Sequence, residues 1–160
     1  MRSDARATVG RLVNLARDGD LDAVVGSLTL LGYADSGPRD RLGQVLATLI
    51  DATASLLVLH AEPSPDFGMF GVDLRTQDGS SVQIDELDPP VRATIRALLA
   101  AVNGHPEDAA AQIALAVSAG TQATAEAVVM ALRWTVNAVE SCMESGVPLP
   151  DWLRQPGNAG

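Results

Sequence analysis

Two histidines are all the imidazole in this chain of 160 residues, His60 and His105, and each has a carboxylate two positions on, Glu62 and Glu107. Imidazole with carboxylate suits zinc or iron, and a carboxylate that orients an imidazole makes it a better base. Convergence of His60, Glu62, His105 and Glu107 would give a metal site. His60 and His105 are then the catalytic candidates of a small hydrolase or metal-assisted enzyme. The spacing itself is weak, because His60-Ala61-Glu62 lacks the paired histidines one helical turn apart of a zinc-protease helix. Both histidines also fall beside expected helix ends, where capping or a solvated position is the plain role. The expectation is therefore no cofactor and no dedicated metal.

Other reactive groups have plainer roles still. Cys142 stands alone, so it forms no disulfide within the chain and no thiolate cluster. Its place near the end of a helix, at the negative pole of the backbone dipole, opposes a thiolate and favours a structural cysteine. The acids Asp85, Glu86 and Asp88 lack the alternating ligand pattern of a calcium loop; strand termination and helix capping account for them. Positive charge comes from Arg alone, and without lysine there is no phosphate loop of the P-loop kind. The segment Asp66 to Phe70 is more informative, since Phe67, Met69 and Phe70 around Gly68 could contact a ligand or a partner, or anchor a hairpin to the core.

A net charge of -9 and a pI near 4.5 argue against a nucleic-acid partner, because phosphate binders cluster basic residues. Arg2, Arg6, Arg11, Arg17, Arg39 and Arg41 nearly balance the acids of the first quarter, leaving the excess to the rest. The single cysteine and the lack of a basic segment leading into an apolar one point to the cytoplasm. No uninterrupted apolar run of membrane-spanning length occurs, so no membrane role is expected.

The elements that would position these groups read as mostly α: one compact domain over residues 1–145, of five to six helices with one antiparallel β-hairpin. Helical apolar spacing covers Asp4 to Arg17, Leu21 to Leu31, Leu42 to Leu57, Pro89 to Val102, the Ala-rich stretch after Pro106, and a long run from Thr121 to about Glu144. Val72, Leu74 and Thr76 alternate, as do Val82 and Ile84, and a turn at Gln77-Asp78-Gly79 would pair them as a hairpin near 72–84. The tail, 146–160, with two prolines and a polar end, reads as extended and partly disordered.

These features favour a non-catalytic interaction or structural domain that binds itself or another protein. Met130 and Trp134, one turn apart and off the principal apolar stripe of the last helix, are the candidate contact residues of a homodimer. A binder of apolar small molecules is the remaining alternative. Its pocket would lie beneath the hairpin, among Phe67, Met69, Phe70 and Leu74, against the helix of Ile95 and Leu99.

Overall fold

A computed structural model of the protein describes residues 2–33, 38–60, 80 and 83–154. Six α-helices follow in chain order: α1 (Arg2–Arg17), α2 (Leu21–Tyr33), α3 (Pro38–His60), α4 (Pro89–Val102), α5 (Pro106–Ser118) and α6 (Thr121–Glu144). Short 3-10 turns occupy Ile84–Glu86 and Asp151–Leu153.

Local chemistry sets the helix boundaries. The first helix ends where Gly19, at φ 77°, takes the left-handed conformation that lets the Asp20 amide bond back to Leu15 O at 2.9 Å. Asp20 then caps α2, its carboxylate accepting from the Ala23 amide at 3.1 Å. Gly104 closes α4 in the same way, with the His105 amide on Ala100 O at 2.8 Å. Pro89 and Pro106 start α4 and α5, where a missing amide hydrogen costs nothing. Asp88 stands at the cap position of α4 as its type suggests, but its side chain makes no capping bond.

The core forms around α3, which touches all five other helices and packs most extensively on α6. Leu42, Leu46, Leu49, Ile50 and Leu56 of α3 meet Val128, Val139 and Cys142 of α6, each at most 1% exposed. Small residues such as Ala97, Ala116 and Ala131 lie fully buried between helices, so an aliphatic core of low aromatic content still closes tightly. Arg41–Leu59 has the length and mean hydropathy, 1.8, of a membrane span, yet half of that window is already buried by its neighbours within the fold. A central core helix passes the same test.

The expected hairpin is corrected. Among the described residues there is no β-strand, and the proposed second arm ends differently: Ile84 opens a 3-10 turn instead of closing a strand. Three hydrogen bonds hold that turn. The Gln83 amide donates to Glu86 Oε2 at 3.3 Å, and Arg96 and Arg92 of α4 bond to the Asp85 carboxylate at 2.7 Å and to its carbonyl at 3.3 Å. Acids read as strand terminators thus fasten a turn onto the helix that follows. The first arm, 72–76, lies outside the described residues.

Beyond α6 the chain stays on the domain. Val147, Leu149 and Trp152 pack against the core, and Leu153 is 1% exposed. The stretch read as the start of an extended tail is packed at least this far. Residues 155–160 lie outside the described set.

Candidate functional site

Of the sequence candidates, His105 precedes α5 as its cap residue and is exposed, as is Glu107 in the first turn. His60 is the last residue of α3; its side chain, together with Glu62, Phe67, Met69, Phe70 and Leu74, lies outside what is described. Among the described residues no three His, Cys, Asp or Glu side chains gather as a group able to hold a metal ion.

Cys142 is fully buried on α6, its Sγ 3.7 Å from Leu56 O on α3. Desolvation by that burial raises the thiol pKa above its ordinary value, which keeps it protonated and unreactive.

Met130 and Trp134 are half-buried, and Trp134 packs against the core cluster. Among the described residues, exposed large apolar side chains stand at the end of α3 (Val58, Leu59), on α5 (Leu115) and at the end of α6 (Met143), and a further set lies on α2 and the first half of α6. Leu21 is 64% exposed and Val25 61%, while Val129 on α6 is 43% exposed. Between these helices runs an open groove of about 670 Å³. Val25, Leu28 and Thr29 form one wall, Ala125, Glu126 and Val129 the other, with Leu42 of α3 between them.

The reason lies in the sequence of α2. Val24 and Leu28 point inward and are buried, but Val25 and Leu21 sit on the flank and Leu30 falls half a turn from Leu21, where it is 76% exposed. An apolar stripe too wide for one buried face leaves part of itself in water. From sequence, Leu21, Val24, Val25, Leu28 and Leu31 read as a single core stripe.

A second concavity, of about 400 Å³, opens among α1, α3 and the C-terminal 3-10 turn. Its character is different. Gln44, Thr48, Asp51 and Ser55 line one side, Arg6 and Trp152 the other, over the small residues Ala5, Ala47 and Ala52. The Arg6 guanidinium carbon stands 5.6 Å from the centre of the Trp152 ring, within range for a cation on an aromatic face. Gly10 makes this wall possible: a Cβ there would lie 2.9 Å from Trp152 O, so only glycine lets the turn approach α1 so closely.

Comparison with protein-family models, with curated proteins and with solved structures finds no match to this chain.

Proposed function

We infer that the protein is a non-catalytic interaction domain that self-associates through the groove between α2 and α6, its occupant a second copy of the same chain. The observation that carries this reading is the exposure of Val25 and Val129 along one groove, since contiguous exposed apolar surface marks association sites. Charge favours a second copy. With a net charge of -9, two copies repel over most of their surfaces, whereas Glu126 is the one charged residue among the described residues that line the groove. Like-charged chains can meet there with little opposition. A two-fold contact would set the Val25 and Val129 of each copy against the same patch of the other.

Sedimentation equilibrium across the micromolar range tests the reading directly. Wild-type protein should approach the dimer mass, Val25→Glu with Val129→Glu should remain monomeric, and Leu30→Glu, on the side of α2 away from Leu21, should dimerise as the wild type does. A wild-type monomer at every concentration rejects self-association.

A further inference from the structure

We propose that the cleft among α1, α3 and the C-terminal turn is a binding site for a small zwitterion of the free α-amino-acid class, with the ligand carboxylate on Arg6 and its ammonium group on Asp51. None of the residues lining it belongs to the α2–α6 groove, so this site stands independently of self-association.

The cleft has the size and the polarity such a ligand needs. At about 400 Å³ it falls at the small end of the roughly 300–1,000 Å³ typical of small-molecule sites. Gln44, Thr48, Asp51 and Ser55 recur at helical spacing, so α3 presents an amide, two hydroxyls and a carboxylate in one row. Opposite them, Arg6 is set over Trp152. A guanidinium is a permanent cation whose fork suits a carboxylate, and a cation–π contact with an indole leaves its N–H donors for a ligand. Gln44 and Asp51 each hold an interaction within the chain. A carboxylate offers about four acceptor positions, however, so Asp51 can also receive an ammonium group.

The two charges favour a ligand that carries both. A plain anion would gain Arg6 but face Asp51 and the field of a chain at -9; a plain cation would gain Asp51 but face Arg6. A sugar stacking on Trp152 would find Arg6 over one of the ring's faces. A molecule with both charges satisfies both walls, and the small floor of Ala5, Ala47 and Ala52 leaves room for its side chain.

The test is calorimetric titration of the full chain with each of the twenty L-amino acids, and with acetate and ethylammonium as half-ligands. At least one amino acid should bind saturably with Kd below about 1 mM, and both half-ligands should bind at least about tenfold more weakly. Arg6→Gln and Asp51→Asn should each weaken the amino acid at least about tenfold, as expected for losing one charge-assisted contact. Both side chains are exposed, so circular dichroism should show the variants folded as the wild type is. As a second route, in a Trp134→Phe background the remaining indole, Trp152, should change its fluorescence with the same midpoint. No saturable binding of any amino acid overturns the proposal. So does acetate binding as tightly as the best amino acid and unaffected by Asp51→Asn, which would make the cleft an anion site.

Discussion

Thr53 Oγ1 and Thr135 Oγ1 lie 2.8 Å apart, both side chains buried where α3 meets α6. Thr135 also reaches Ala131 O on its own helix at 2.9 Å, whereas Thr135 is the partner the structure gives Thr53. This asymmetry predicts unequal and non-additive mutations. If Thr135 donates to Ala131, Thr53 donates to Thr135, and Thr53→Val removes a donor while leaving its neighbour bonded. That change should cost about 1 kcal/mol, and Thr135→Val, which strands a buried hydroxyl, about 1–3 kcal/mol. The double substitution should cost less than the sum of the two. Urea denaturation of the three variants measures the coupling, and simple additivity would show that the pair does not act as a unit.

Two glycines inside helices should respond to alanine with opposite signs. A Cβ at Gly26, exposed on α2, meets nothing within 4 Å, so Gly26→Ala should stabilise the fold by about 0.5–1 kcal/mol through helix propensity. A Cβ at Gly10 would lie 2.9 Å from the backbone oxygen of Trp152. Gly10→Ala should therefore destabilise the protein despite the same propensity gain, and should raise the solvent exposure of Trp152. Denaturation midpoints and, in a Trp134→Phe background, indole emission check both.

The Asp85–Arg96 ion pair, at 2.7 Å with side chains 75% and 44% exposed, should contribute at most about 1 kcal/mol to stability. Its use is positional, since it ties the 3-10 turn to α4. A double-mutant cycle on Asp85→Asn and Arg96→Gln should give a small coupling that fades in high salt. A coupling well above 1 kcal/mol would mean that the turn folds cooperatively with the helix.

The same ion pair shows why the helices were legible and the turn was not. Helices repeat their signal: Leu42, Val45, Leu46 and Leu49 reappear every turn, and Pro89, Pro106, Gly19 and Gly104 mark the ends. The arm at Val82 and Ile84 offered a single alternation. Beside Ile84, Asp85 bonds to an arginine eleven positions along, a relation that periodicity cannot express. The candidate sites were hidden for related reasons. Whether Val25 is core or surface depends on how far α2 is covered, and Trp134, a candidate contact residue from its place off the apolar stripe, is partly buried against the core. Asp151-Trp152-Leu153 did carry a signal, two large apolar residues in a polar tail, and those residues hold the turn to α1 and build one wall of the cleft.

Burial of Cys142 gives the last expectation a definite sign. Its thiol pKa is raised in the folded state by desolvation, while the unfolded chain titrates near 9.0, the ordinary value. Above that pH the unfolded chain loses the proton first and binds fewer protons than the folded one, so stability falls as pH rises. Below it the contribution is fully present. Denaturation from pH 7 to pH 10 should therefore show a loss at the alkaline end that is smaller in Cys142→Ala, whose lower overall stability from the small cavity should be independent of pH. Native protein should also resist a thiol reagent that labels the unfolded chain at once. Fast labelling under native conditions would mean that α6 opens locally at its C-terminal end, and would predict that the Val147 amide, which bonds to Cys142 O at 2.8 Å, exchanges its hydrogen equally fast.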